Sequence, residues 1–395
     1  MIRYYTAGES HGKCLIAVVE GIPAGLKIDE EDINRELRRR QSGFGRGKRM
    51  DIEKDRVEIL SGVRFGETIG SPISIMIRNK DWKNWKDTMS IPETHNLKAM
   101  ESPLTHPRPG HADLAGALKF ARSDVRDILE RASARETAAR VAAGAVCRKL
   151  LDIFGIGVIS FTEAIGQVVS GITADNMGRI ERMVLAVEKS PVRCPDREAE
   201  KKMMAEIEHA KTKGDTLGGI FCIAVCSPPP GLGGHTQWDV RLDGRLAQSV
   251  MSIQSVKGVE IGGGFTLAHK YGSQVHDEIY YRHAEGQRKG FYRKTNNAGG
   301  IEGGTSNGES IIIRAAVKPI PSLTRPLHSV DLITKKSVSA AAVRSDVCVV
   351  PAAGVIGEAV VCFEIARSIK EKFGGDTVLA MKSNYAAYLE YLRNF

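Results

Sequence analysis

The feature that most constrains the fold is an alanine-rich stretch between Val125 and Leu151. Its apolar residues recur at helical spacing, and small residues at Ala132, Ala134, Ala138, Ala142 and Ala143 let a neighbouring element come close. The pattern predicts one amphipathic helix over 125–151, buried near the centre of the molecule. Around it, strand-like runs near Cys14–Glu20, Val57–Leu60, Ile73–Ile77, Gly157–Phe161, Gly219–Cys226 and Ser310–Val317 alternate irregularly with helical stretches. Those stretches run from near Asp29 into an arginine run, over Asp196–Lys213 and Leu242–Ile253, and near Gly357–Lys372 and Val378–Arg393. The steady beat of a parallel βαβ sheet is missing, no repeat is visible, and no clean linker divides the chain, so residues 1–395 read as a single unit. A long polar connection from Asn79 to Pro109, with Trp82, Trp85 and several prolines, reads as a loop and a candidate lid.

Composition bounds the function without choosing it. With 395 residues, 42% hydrophobic and 26% charged, the chain can bury a sizeable core, and a net charge of +9 suits acidic small molecules, nucleic acid or an anionic surface alike. Seven cysteines, at 14, 147, 194, 222, 226, 348 and 362, lie mostly in apolar runs without framework spacing, which points to reduced thiols in a cytoplasm. No apolar run is as long as a membrane span, and the sequence from Met1 carries no signal-peptide hydrophobic region. Dinucleotide glycine motifs, a Walker loop, His-Glu-x-x-His and paired Cys-x-x-Cys are missing, which disfavours those folds and a metal site.

Chemistry concentrates in two places. Gly8-Glu9-Ser10-His11-Gly12 sets a histidine in a glycine-bracketed turn, and Arg38-Arg39-Arg40-Gln41-Ser42-Gly43-Phe44-Gly45-Arg46-Gly47-Lys48-Arg49 carries guanidinium groups from a helix into a loop. Guanidiniums grip phosphate and carboxylate, and a histidine carries a proton near neutral pH, so together they suggest acid–base work on a phosphorylated anion. The same basic run also reads as a solvated loop. The segment from Asn296 to Gly308, with paired glycines, reads either as a backbone cradle for a phosphate-bearing cofactor or as a surface loop. A nucleic-acid module would need aromatics interleaved with the arginines, and Phe44 alone occupies that run. A phosphate-handling enzyme without a cofactor would leave the paired glycines without a task.

Six blocks in order resemble the chorismate synthase family along the whole chain. They are Gly8–Gly12 continuing to Glu20-Gly21-Ile22-Pro23; Arg108-Pro109-Gly110-His111-Ala112-Asp113; Glu130-Arg131-Ala132-Ser133-Ala134-Arg135-Glu136-Thr137 with Arg140–Ala145; Ser252–Glu260; the paired glycines leading into Lys318-Pro319-Ile320-Pro321-Ser322; and Arg344-Ser345-Asp346-Val347-Cys348. The resemblance implies an α+β fold, a β-α-α-β sandwich with helices held between antiparallel sheets, assembled as a homotetramer with the flavin site near a subunit contact. It implies a lyase of the shikimate pathway that converts 5-enolpyruvylshikimate 3-phosphate to chorismate and phosphate by 1,4-anti elimination, and that requires reduced FMN (FMNH2). The hydrogen to be removed is not acidic, so an electron-rich flavin that promotes phosphate loss and accepts the hydrogen carries the hard chemistry.

The resemblance also implies roles by residue. His11 is the general acid toward the departing phosphate, His111 supplies a proton to the flavin ring, and Asp346, assisted by Ser10, relays the proton away from flavin N5. Arg40, Arg46, Arg49, Arg108 and Arg135 line the substrate pocket, where three anionic groups call for several guanidiniums. Flavin contacts fall on Arg131, Ala132, Ser133, Gln254, Ser255, Gly303, Lys318, Pro319, Ile320, Pro321, Ser322 and Arg344. Gln254-Ser255 departs from the Asn-Ala of many relatives. In some relatives a reduced pyridine nucleotide, NADPH, is linked to the positions of Arg40 and Arg46, as reductant or weak ligand, and it would share the anion pocket. The chain lacks the large insertions of relatives that also reduce flavin, so a monofunctional enzyme dependent on outside reductant is expected.

Overall fold

The structure is a computed structural model that describes residues 1–47, 52–92, 103–172, 180–283, 290–341 and 346–395. An N-terminal sheet has the strand order Arg3–Ala7, Cys14–Glu20, Ile73–Arg78, Val57–Ile59, antiparallel throughout. In Cys14–Glu20 every second residue is buried, so Leu15, Ala17 and Val19 face inward. A second sheet has the order Val256–Ile261, Ile311–Val317, Gly219–Cys226, Gly157–Ile165, Val168–Val169, also antiparallel. Between them lie two helices, Thr137–Asp152 against the N-terminal sheet and Val350–Phe373 against the second sheet, packed on each other. This is the β-α-α-β sandwich expected from the resemblance, and one apolar cluster includes residues of both sheets and both helices.

The two inner helices meet because both are small where they touch. A Cβ on Gly144 would stand 2.5 Å from the Ala359 Cβ and 2.5 Å from its carbonyl oxygen. Two expectations are corrected here. The predicted single helix over 125–151 is two, Arg126–Ala132 and Thr137–Asp152, joined by a 3-10 turn over Ala134–Glu136. Ser133 breaks it: its backbone is extended (φ −62°, ψ 141°), and its hydroxyl accepts from the Arg135 amide at 3.2 Å. The helix expected near Gly357–Lys372 begins at Val350, with Pro351 in its first turn. Its first turns are buried on every side, so no polar face announces them in the sequence. The strand Arg3–Ala7 and the helix Asp113–Phe120 are additions that periodicity did not predict.

A buried carboxylate ties the layers together. Glu358, fully buried on the long helix, accepts from Arg39 at 2.8 and 3.0 Å, Arg148 at 2.5 Å, Arg193 at 3.0 Å, and the Ser160 amide and hydroxyl at 2.9 and 2.7 Å. Arg39 comes from helix Glu30–Gln41, which Asp29 caps through a reciprocal pair with Asp32 and which ends in Arg38, Arg39 and Arg40. Burial opposes ionisation of Glu358, but Arg39, Arg148 and Arg193 outweigh it and hold the carboxyl down to about 2.

Two outcomes are expected. Gly144→Ala forces the inner helices apart and lowers unfolding free energy by about 1–3 kcal/mol, measured by urea denaturation. Because Glu358 has a lower pKa folded than unfolded, its stabilising contribution is complete above about pH 4.5 and is lost as pH falls toward 2. Glu358→Ala, which strands buried guanidiniums, costs about 3–5 kcal/mol at neutral pH and flattens the acid limb of the stability curve.

Candidate active site

The turn between Arg3–Ala7 and Cys14–Glu20 delivers Ser10 and His11. Only glycine fits its start: Gly8 has φ +101°, and a Cβ there would stand 2.3 Å from the Cys14 carbonyl oxygen. Asn79 ties the turn from below, donating to the carbonyls of Glu9 at 3.1 Å and Gly12 at 2.8 Å. The helix break at Ser133 faces it from the other side. Ser10 donates its amide to the Glu130 carbonyl at 3.0 Å and its hydroxyl to the Ser133 hydroxyl at 3.1 Å. The His11 amide donates to Glu130 Oε2 at 2.7 Å, and His11 Nδ1 lies 2.7 Å from Glu130 Oε1. The His11 ring stacks on Trp85, centroids 4.0 Å apart and planes 24° apart, and Arg126 lies 5.3 Å from the Trp85 ring.

Beneath the histidine is a buried set of guanidiniums and carboxylates. Arg135 donates to Asp55 at 2.6 and 2.7 Å and to Asn79 Oδ1 at 2.9 and 3.0 Å. Arg40 donates to Asp55 at 2.9 Å and to the Thr137 hydroxyl at 3.3 Å. Arg46 pairs with Asp346 at 2.8 Å, and the Gly47 amide donates to Asp346 at 2.5 Å. Burial, with Arg135 and Arg46 nearby, pushes Arg40 down to about 10 in spite of Asp55, and Arg40 Nε is buried without a hydrogen-bond partner among the described residues. For Asp55 the two guanidiniums of Arg40 and Arg135 outweigh burial and hold the carboxyl low. Positive charge is therefore crowded here, and a bound anion would relieve it.

A second histidine is built from another part of the chain. Asp113, fully buried, accepts from the Arg108 amide at 3.0 Å and from Arg108 Nε at 2.9 Å and Nη2 at 3.1 Å, and His111 Nδ1 lies against its Oδ1, with Arg108 Nη2 also 3.1 Å from that Nδ1. Burial alone would raise the Asp113 pKa, yet His111 and Arg108 hold it well below the usual carboxylate range. Arg108 Nη1 also donates to the buried Ser322 hydroxyl at 2.8 Å, and Lys318 donates to the Gly110 carbonyl at 2.5 Å. The two centres are connected through Gln254 and Ser255. The Lys318 amide donates to the Ser255 carbonyl at 2.9 Å, while Gln254 Nε2 donates to Glu136 at 3.2 Å, next to Arg135 in the chain. Gln254 Oε1 is buried and has no hydrogen-bond partner among the described residues.

Most sequence-predicted residues thus fall into one hydrogen-bonded series. Ser10 donates to Ser133, and Asp346 pairs with Arg46. Arg131 is tied to Thr6 and to the Gly8 carbonyl, the latter at 3.1 Å, and the Ile320 carbonyl accepts from Thr216 at 2.7 Å. Pro321 lies against Gly110. Gly303 sits in the turn between Ile301–Glu302 and Thr305–Ser306, where the Gly304 carbonyl accepts from Gly234 and Leu242. Arg49 and Arg344 lie outside the described residues, as do residues 93–102 of the expected lid. One expectation is corrected: the start of the paired-glycine segment is not an open cradle, because Asp277 takes the amides of Asn297 and Ala298, both at 2.9 Å. Glu130, Asp113, Asp55, Asn79 and Trp85 carry much of this geometry without having been assigned roles from the sequence. Glu130 and Asp113 stood inside the quoted blocks, and Asn79 and Trp85 inside the connection read as loop.

Among the described residues no helix is long and apolar enough to cross a membrane, and no group of His, Cys, Asp and Glu could hold a metal ion. Comparison with known proteins gives concordant results. The family described as chorismate synthase matches residues 2–369. A chorismate synthase of Geobacter metallireducens is 56% identical over the full length of both chains, and one of Aquifex aeolicus is 51% identical, covering 100% of this chain and 99% of the relative. A crystal structure of a chorismate synthase superposes with TM-score 0.80 at 43% identity, covering 100% of this chain and 99% of that one.

If the buried cluster takes an anion, inorganic phosphate raises the melting temperature of the protein by several degrees in a thermal shift assay. Arg40→Met, which keeps the stem and removes the guanidinium, abolishes that rise.

Proposed function

The chain belongs to the chorismate synthase family, a lyase family of aromatic amino acid biosynthesis, and from that premise we propose how its residues divide the reaction. The substrate is 5-enolpyruvylshikimate 3-phosphate. The C–O bond to phosphate and a C–H bond at the far end of the allylic unit break on opposite faces, a second ring double bond forms, and chorismate and phosphate leave. Members of the family generally use reduced flavin; here the cofactor is FMNH2, which supplies, when bound, an electron-rich ring that takes up the hydrogen without net redox change.

The residues fit that cofactor. The unpartnered, buried Gln254 Oε1 is an acceptor for an N–H of a flat ring, and Lys318 is a half-exposed cation for its phosphate. Arg131, Ala132, Ser133, Ser255, Gly303, Pro319–Ser322 and Arg344 complete the proposed cofactor contacts. Arg40, Arg46, Arg49, Arg108 and Arg135 bind and orient the phosphate and two carboxylates, and the burial of Arg40, Arg108 and Arg135 excludes water from the charged contacts. His11 donates its proton to the departing phosphate oxygen, which makes phosphate a better leaving group. His111 holds a proton beside the cofactor ring. Asp346, with Ser10, passes a proton out to solvent. NADPH would compete for the same Arg40–Arg46 anion pocket.

The observation that carries this reading is His11, held by Glu130 and stacked on Trp85, in a turn that Asn79 ties to the buried cluster of Arg135, Arg40 and Asp55. We further propose one functional unit over residues 1–395, a homotetramer and a cytoplasmic site. The cluster shared by both sheets supports the first, exposed aromatics such as Trp238, Tyr271, Phe291 and Phe395 the second, and seven free thiols the third.

The test is anaerobic turnover of 5-enolpyruvylshikimate 3-phosphate with dithionite-reduced FMN, beside a control without reductant. Chorismate and phosphate are expected in equal amounts and only with reduced flavin; release of phosphate without flavin overturns the reading. His11→Ala and His111→Ala are expected to lose roughly 10²–10⁴-fold in kcat, the usual weight of a proton-transferring side chain, while substrate binding measured by calorimetry persists.

A further inference from the structure

The two histidines come from unrelated segments, a hairpin turn and the loop before helix Asp113–Phe120, yet both are held in the same way. Each ring keeps 15% of its side-chain surface exposed and presents Nδ1 to a buried carboxylate, Glu130 for His11 and Asp113 for His111. Neither carboxylate is free to follow the ring. Glu130 uses its second oxygen to accept the amide of His11 itself, and Asp113 is gripped by the amide and two side-chain nitrogens of Arg108. For both rings, no hydrogen bond engages Nε2 among the described residues, and the stack on Trp85 fixes the plane of His11.

We propose that Glu130 and Asp113 are paired positioning residues: each holds its histidine as the Nδ1–H form, so that Nε2 is the working nitrogen of both. This rests on the roles given above to His11 and His111. A carboxylate facing Nδ1 can only accept, so Nδ1 must carry the hydrogen. Nε2 is then a bare acceptor in the neutral ring and a donor in the protonated ring, and a single nitrogen both loads and delivers the proton. The carboxylate also steadies the imidazolium while it exists, without taking its proton. The other tautomer would turn an N–H outward at the wrong moment and set a bare Nδ1 against a carboxylate; at His111, Arg108 Nη2, 3.1 Å from Nδ1, could donate to it, but the carboxylate of Asp113 is the nearer group.

Neither partner tolerates an amide in its place. Glu130 accepts from two donors, the His11 amide and Nδ1, whereas glutamine has one oxygen and must set its NH2 against one of them. Asp113 likewise has acceptor contacts on both oxygens.

The experiment has two independent readouts. Neutron diffraction from deuterium-exchanged crystals of the unmodified protein shows directly where each ring carries deuterium. Deuterium on Nδ1 of both His11 and His111 is expected, and a bare Nδ1 in either ring overturns the proposal whatever the enzyme's activity. In steady-state turnover with reduced FMN, Glu130→Gln and Asp113→Asn are each expected to lower kcat about 10²-fold or more while KM stays within about threefold, the signature of a lost transition-state function. A variant that folds and retains near-normal kcat overturns the assignment of its residue and leaves the lyase reading standing. If the unmodified enzyme makes no chorismate, the lyase reading fails, and the neutron positions still decide the tautomers.

Discussion

The arrangement of the active site depends on the buried carboxylate of Glu358. One side chain on the long helix receives guanidiniums from three other segments, so the arginine helix, the central helix and the loop at Arg193 are fixed relative to one another. An unpartnered charge at that depth would be strongly destabilising, and a poorly partnered one little better. The geometry is good here because every oxygen is used and Ser160 supplies two further donors. The consequence for the site lies one residue away. Arg39 turns into this core network while Arg40 turns toward Asp55, so a charge network in the core sets where the Arg40 guanidinium stands.

The site itself is assembled from segments far apart in sequence, each stiffened locally before it meets the others. A glycine-started turn presents Ser10 and His11, an interrupted helix presents Glu130, Ser133 and Arg135, and a loop-to-helix junction presents Arg108, His111 and Asp113. Gln254 and Ser255 join the first group to the last through Glu136 and Lys318. Side chains held by buried hydrogen bonds on such elements lose little freedom when a ligand arrives, which is how binding energy is kept for the reacting atoms.

Much of this was legible in the sequence. The strand at Gly219–Cys226, a short unbroken apolar run buried on both faces, and the helix ending in the arginine run, marked by its acidic cap, appear where their patterns put them. Periodicity failed where burial is complete or where polar bonding overrides it. The first turns of Val350–Phe373 have no polar face to reveal a helical period, and Ser133 ends a pattern whose apolar spacing continues straight through it. For the site, the histidines and arginines announce themselves by type and by the blocks that resemble a known family. Glu130, Asp55 and Asn79 do not, because a carboxylate or amide earns its role only from what faces it, across 55 intervening residues for Asn79 and Arg135 and 118 for His11 and Glu130.

The break at Ser133 has an electrical consequence as well as a geometric one. Had the stretch from Val125 to Leu151 run as one helix, the backbone near Arg135 and Thr137 would lie in a helix interior, where each turn's partial charges are cancelled by those of the next. Because a new helix starts at Thr137 instead, the positive end of its dipole opens at the foot of the cluster, where Arg40 meets the Thr137 hydroxyl. The backbone therefore adds a fixed, uncharged attraction for anions to that of the guanidiniums, one that does not vary with pH and that no side-chain substitution in the pocket would remove.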